Sequence, residues 1–296
     1  MMQGRVITAY GRHYTVQCED GQTRQSYTRG KKTGICVGDY VRVQLQGQEE
    51  ASIEEVLPRH NLLYRSDEMR SKQFAANVDQ LLVVVALSPS FNDDLLGRAL
   101  TGAWSVGIQP TILLNKVDLA EGYQQARERL APYEALGVQI IETSITDEAK
   151  LRSDLSPLLK GKTNILLGQS AMGKSSILNV LVPHAKAHTQ EHSVALGTGK
   201  HTTTTTTLYD LPELQASLID SPGFQSFGLK HLGLTEVVQG FPEFAPYIEQ
   251  CRFYNCTHLH EPGCGVLQAL KDGEIQASRH ELYERILSES LAPPKY

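Results

Sequence analysis

Gly168-Gln169-Ser170-Ala171-Met172-Gly173-Lys174-Ser175 fits G-x-x-x-x-G-K-[ST], and Ser176 follows it. Glycines at the two ends of such a loop let backbone N–H groups turn inward on phosphate oxygens, at a helix start whose dipole favours negative charge. In that frame Lys174 reaches the β- and γ-phosphates and the Ser175 hydroxyl ligates Mg²⁺. The flanks agree. Asn164 to Leu167 is a short apolar run that reads as a buried strand, and Ser176 to Val182 has helical spacing. The expected chemistry is nucleotide binding.

Four further segments fill out the nucleotide reading. Asn115-Lys116-Val117-Asp118 follows an apolar strand and matches the guanine reader N-K-x-D. A carboxylate at Asp118 accepts from N1–H and the exocyclic amine of guanine together, a donor pair adenine lacks. Asn115 is expected at the base's other edge, with the Lys116 stem packed over the ring. Thr143-Ser144, after the next strand, is placed to turn a backbone N–H toward the guanine carbonyl. Asp220-Ser221-Pro222-Gly223 matches D-x-x-G, where the carboxylate holds Mg²⁺ through water and the Gly223 N–H meets the γ-phosphate. Gly199 to Thr204 lies in a long loop that orders around the triphosphate; the run Thr202 to Thr207 offers six candidate hydroxyls for Mg²⁺, of which Thr203 is favoured. Phe224 stands where related enzymes carry a water-orienting Gln, and Phe cannot orient water. Slow intrinsic hydrolysis follows, with His201 the residue expected to supply the missing group.

Cys251-x4-Cys256-x-His258-x5-Cys264 offers three thiolates and an imidazole, the donor set of a closed tetrahedral Zn²⁺. His260 satisfies the same spacing nearly as well as His258. Four protein ligands leave no open position, so a single zinc here is structural.

The elements that must position these groups fall into three segments. Residues 1–65 read as an all-β barrel of the OB type, with strands at Arg5–Tyr10, His13–Gln17, Tyr40–Leu45 and Ser52–Leu57. Arg24, Arg29, Lys31 and Lys32, with Tyr27 among them, read as a loop suited to RNA. Residues 59–77 read as a polar linker. Residues 66–228 alternate strand and helix, as in an α/β domain built on a parallel sheet. Residues 229–296 read as mainly helical around the Cys/His knot. N-K-x-D precedes the phosphate loop here, the reverse of the usual order, so the α/β domain is expected to be circularly permuted. The chain then leaves that domain directly after Asp220–Gly223, which ties the γ-phosphate switch to the C-terminal segment.

Net charge is −5, so indiscriminate nucleic-acid binding is excluded, although residues 1–65 hold nine Lys and Arg against seven Asp and Glu. No apolar run spans a bilayer and no signal peptide opens the chain; with five clustered or isolated cysteines, a cytoplasmic protein without a membrane partner is expected.

N-K-V-D, G-x-x-x-x-G-K-S, G-K-H-T-T-T, D-S-P-G-F and C-x4-C-x-H-x5-C together resemble the circularly permuted GTPases called RsgA, which act in small ribosomal subunit biogenesis. The likeness runs nearly the whole length. It implies hydrolysis of GTP to GDP with Mg²⁺, stimulation by the 30S subunit, 16S rRNA contacts by barrel and zinc segments, release on hydrolysis and action as a monomer. It implies Cys251, Cys256, His258 and Cys264 as the zinc ligands and a part for His201 in hydrolysis. Ser221 departs from the family's usual Thr. The alternative is an RNA-binding adaptor whose nucleotide pocket is passive.

Overall fold

A computed structural model gives the structure; it describes residues 1–28, 34–66, 71–183, 185, 205–223 and 227–292. The switch-loop residues His201 and Thr203, as well as Phe224, Arg29, Lys31 and Lys32, lie outside the described residues.

The N-terminal segment is a closed barrel of β1 (Met2–Tyr10), β2 (His13–Cys18), β3 (Thr23–Thr28), β4 (Tyr40–Leu45) and β5 (Glu50–Val56). The strand order is β1-β2-β3-β5-β4, closed by pairing of β4 with β1. Alternating residues point inward. Val6, Tyr14, Val16, Val41, Val43 and Ile53 form the core. A two-residue turn joins β1 to β2, with Gly11 at φ +62°. Strand β3 falls in the stretch expected to be an RNA-binding loop. Its inward positions are Arg24 and Ser26, and buried Arg24 grips Asp20 through two bonds of 2.9 and 2.7 Å. Arg24 is therefore spent on the barrel itself.

The expected linker is in fact a hairpin, β6 (Leu62–Ser66) with β7 (Ser71–Ala76). It is fixed to the barrel. Ala76 N–H donates to Val37 O, and Asn77 Nδ2 donates to Gly38 O. Gly38 holds φ +92° and passes so close to the Ala76 carbonyl that no side chain fits there. Arg59 crosses from this segment to the fully buried Asp39, with two bonds of 2.6 Å.

Next come β8 (Gln80–Ala86), α1 (Asp93–Trp104), β9 (Gln109–Asn115), α2 (Tyr123–Ala135), β10 (Gln139–Thr143), α3 (Glu148–Leu159), β11 (Thr163–Gly168), α4 (Lys174–Leu181), β12 (Thr207–Leu211) and β13 (Ala216–Asp220). The strand order is β10-β9-β8-β11-β13-β12, parallel except for β12. Every residue of β8, β11 and β13 is buried, as a sheet covered on both faces requires. Strand β11 lies between β8 and β13, the first and last parallel strands of this sheet in the chain. That is the geometry of a permuted domain: the new ends flank the strand that leads into the phosphate loop. Strand β12 also meets barrel strand β1, at Thr207 and Thr8. Arg5 reinforces that junction with bonds to Ser217 Oγ (2.9 Å) and Thr163 Oγ1 (2.7 Å).

The C-terminal part is helical: α5 (Leu234–Gln239), α6 (Ala245–Ile248), α7 (Gly265–Lys271) and α8 (Ala277–Leu291). Helix α8 lies against α1. Arg98 on α1 reaches Glu289 with bonds of 2.7 and 2.6 Å, and Arg285 reaches Asp94 at 3.0 Å. At the closest point Gly97 meets Leu282. An all-β OB-like barrel, an α/β P-loop domain in permuted order and a mainly helical C-terminal part are thus all present. No helix among the described residues is long and apolar enough to cross a membrane.

Candidate functional site

The parallel strands deliver their carboxyl ends to one edge. Ala86 pairs with Asn115, Asn115 with Thr143, Val84 with Gly168, and Asp220 with Leu166. Open α/β sheets bind ligands at that edge, where strand order reverses. The loops leaving it carry every described residue of the guanine and phosphate motifs.

Direct hydrogen bonds join the two motifs. Asn115 is 1% exposed; its Nδ2 donates to Met172 O (2.9 Å) and its Oδ1 accepts from Thr143 Oγ1 (3.2 Å). Lys116, at φ +62°, sends Nζ to Ala171 O (2.8 Å) and Ser88 O (2.6 Å). The carbonyls of Ala171 and Met172 are thereby held toward the base reader. Gly173 (φ +92°) abuts the Asn115 amide too closely to admit a β-carbon, which accounts for that glycine. Asn115 therefore clasps the phosphate loop. Asp118 is the exposed group of the motif, and Ser144 Oγ donates to its Oδ1 at 2.5 Å.

At the phosphate end Lys174 and Asp220 are both buried and paired, Nζ to Oδ1, at 2.5 Å. The other oxygen, Asp220 Oδ2, is buried and has no partner among the described residues. A buried carboxylate oxygen left without a donor is costly, and it marks where a hydrated cation fits. Ser175 and Ser176 open helix α4, and Ser221 Oγ donates to Leu166 O (3.0 Å), which locks the turn after β13. Gln169 accepts from Asn92 N–H (2.8 Å), and Asn92 in turn caps α1 through Leu95 N–H (3.0 Å). Sequence reasoning missed that link, since 77 residues separate its partners. Ala171 at φ +69° is a second feature with no signal in the sequence.

The Cys/His cluster is a separate centre. The ligand atoms of Cys251, Cys256, His258 and Cys264 lie within 4.8 Å of one another. Cys251 Sγ to His258 Nδ1 is 3.6 Å, Cys251 Sγ to Cys264 Sγ is 3.9 Å, and His258 Nδ1 to Cys264 Sγ is 3.4 Å. A tetrahedral ion with metal–sulfur bonds of about 2.3 Å sets edges of about 3.8 Å, so these four groups fit one metal ion. His260 is not in the cluster. Gly265 N–H and Leu267 N–H point at Cys251 and Cys264 sulfurs, each at 3.4 Å, as suits thiolates. Burial pushes the Cys256 thiol up to about 12 and lowers the His258 imidazole, so a bound cation would take the place of the Cys256 proton. Glu261 fixes the knuckle by accepting from Thr257 N–H (2.8 Å) and Leu259 N–H (3.2 Å).

A parallel sheet in permuted order, with base reader and phosphate loop clasped at one edge, defines a circularly permuted GTPase. The RsgA GTPase family model matches residues 56–230. The small ribosomal subunit biogenesis GTPase RsgA of Bordetella pertussis is 61% identical over 294 residues, covering 99% of this chain and 98% of that one. Its counterpart in Burkholderia pseudomallei strain K96243 is 52% identical over 292 residues, covering 97% and 92%. Among solved structures, YjeQ from Thermotoga maritima superposes with a TM-score of 0.75 at 29% identity, over 99% of each chain. YloQ, a circularly permuted GTPase, does so with 0.71 at 29% identity, over 100% of this chain and 98% of that one. The chain belongs to the RsgA GTPase family.

Proposed function

We propose that this GTPase is a late maturation factor of the small ribosomal subunit, a monomer in the cytoplasm that binds the 30S particle as the GTP form and leaves after hydrolysis. The observation that carries the nucleotide site is the pair of bonds from Asn115 and Lys116 to the Met172 and Ala171 carbonyls. They make one pocket of two motifs more than 50 residues apart. Asp118, braced by Ser144, reads guanine. The N–H groups of Gly168 to Ser176 cradle the phosphates, and Lys174 leaves Asp220 for the β- and γ-phosphates when they arrive. Ser175 and Asp220 hold Mg²⁺, which when bound offsets charge on the transferring phosphoryl group. Gly223, and Thr203 and His201 of the switch loop, complete the γ-phosphate end.

The names of the relatives support the ribosomal reading. So does the Cys/His cluster, which fits a metal ion; in this reading the chain divides into barrel (1–65), GTPase domain (66–228) and zinc-binding segment (229–296), with one structural Zn²⁺ on Cys251, Cys256, His258 and Cys264. The barrel and zinc segments are the surfaces for 16S rRNA. The test is GTP turnover with and without purified 30S subunits, joined to cosedimentation in GTP and GDP. Stimulated turnover and GTP-dependent pelleting are expected. An adaptor with a passive pocket would pellet equally in both nucleotides and show no stimulation.

A further inference from the structure

The phosphate loop carries one side chain with no task in the clasp. The Gln169 side chain is bonded to Asn92, and the carbonyls of Ala171 and Met172 are taken by Lys116 and Asn115. Ser170 is exposed, and among the described residues its hydroxyl has no hydrogen-bond partner. It faces Gly223. A β-carbon on Gly223 would stand 3.3 Å from Ser170 Oγ, 3.5 Å from Ser170 N and 3.6 Å from Gly168 O. The hydroxyl thus lies between the phosphate loop and the glycine of D-S-P-G, on the side where a γ-phosphate enters. The residue after that glycine is Phe224, which has no group to orient water.

We infer that Ser170 is a catalytic residue of the GTPase reaction, touching the γ-phosphoryl group and the attacking water. A hydroxyl has one donor and two acceptor sites. It donates to a γ-phosphoryl oxygen and accepts from the water, which fixes the water on the far side of the bond that breaks. The water oxygen bonds to phosphorus, the bond from phosphorus to the β–γ bridging oxygen breaks, and GDP leaves with that electron pair. The water protons pass to the phosphate product and solvent; Ser170 is unchanged. A serine is too weak a base to take the proton, so its contribution is orientation. A side chain at Gly223 would crowd this hydroxyl, since its β-carbon would stand 3.3 Å away.

The inference rests on the phosphate assignment proposed above, and the test separates the two. Single-turnover GTP hydrolysis and affinity for a fluorescent GDP are measured for Ser170→Ala, Ser170→Gly and Lys174→Ala. For both Ser170 variants hydrolysis is expected to fall by about 10- to 100-fold, with GDP affinity within about twofold of the unchanged protein. Hydrolysis that stays unchanged or rises in Ser170→Ala would overturn it, as would a fall matched by lost GDP affinity. Lys174→Ala reports on the assignment alone: retained GDP affinity there would remove the phosphate site, whatever Ser170 does.

Discussion

Asp220 has two oxygens with opposite fates: one is bonded to Lys174, the other is buried without a partner among the described residues. Removing Lys174 leaves the whole carboxylate uncompensated. Lys174→Ala should therefore lower the unfolding free energy of the nucleotide-free protein by about 3 kcal/mol, measured by urea denaturation. Excess Mg²⁺ should recover part of that loss, since a cation can take the lysine's place. Asp20 behaves differently because it sits at the surface. The Arg24 hydrogen bonds hold its carboxyl at about 2, below the ordinary 3.8. A depressed carboxylate stabilises above its unfolded value, so this contribution is complete above about pH 4 and is lost as the pH falls toward 2. In Asp20→Asn the acid-unfolding profile should be flatter across that window, measured by circular dichroism. At this scale the sequence was legible where motifs are contiguous: Gly168–Ser175, Asn115–Asp118 and Asp220–Gly223 stand at one edge. Arg24 misled because its neighbours are basic and aromatic. Its inward direction comes from the pleat of β3, and its partner Asp20 sits across a turn.

Elements were legible in proportion to their apolar runs. Strands β8, β9 and β11 are nearly continuous hydrophobic stretches, and β11 (Thr163–Gly168) lies where the apolar run Asn164 to Leu167 places it. The hairpin β6–β7 was hidden because polar residues interrupt its two short strands and its fixation to the segment before β4 joins residues 39 apart, Ala76 to Val37 and Asn77 to Gly38. The packing of α8 on α1 was hidden for a related reason: it depends on Gly97 leaving room for Leu282. Gly97→Val should cost about 2 kcal/mol by overpacking that contact, read as a lowered Tm. Arg279 on α8 is buried, pairs with Glu243 at 2.6 Å and lies over Phe241, its guanidinium 4.5 Å from the ring centre. Arg279→Ala removes one partner of a buried pair and should cost about 3–5 kcal/mol.

In the whole molecule the nucleotide edge touches both flanking parts through short paths. Strand β12, which follows the switch loop, pairs with the barrel at Thr8, and α1, capped by Asn92 beside Gln169, carries α8. The permuted order makes this possible, because β8 and β13, the first and last parallel strands in the chain, flank β11. If Zn²⁺ holds the Cys/His cluster together, chelation should release about one zinc per chain and lower helical content. GDP affinity should change little, because no residue of the base or phosphate loops belongs to that cluster. The central claim is that one nucleotide is gripped at once by Asp118 and the phosphate loop. Xanthine carries a carbonyl where guanine carries the exocyclic amine, so an amide at position 118 reverses the donor and acceptor match. The decisive measurement is kcat/KM of Asp118→Asn for GTP and for xanthosine triphosphate. A fall of at least about 100-fold for GTP, with a gain for xanthosine triphosphate, is predicted; unchanged GTP hydrolysis with no such gain would show that Asp118 and Lys174 do not hold the same molecule.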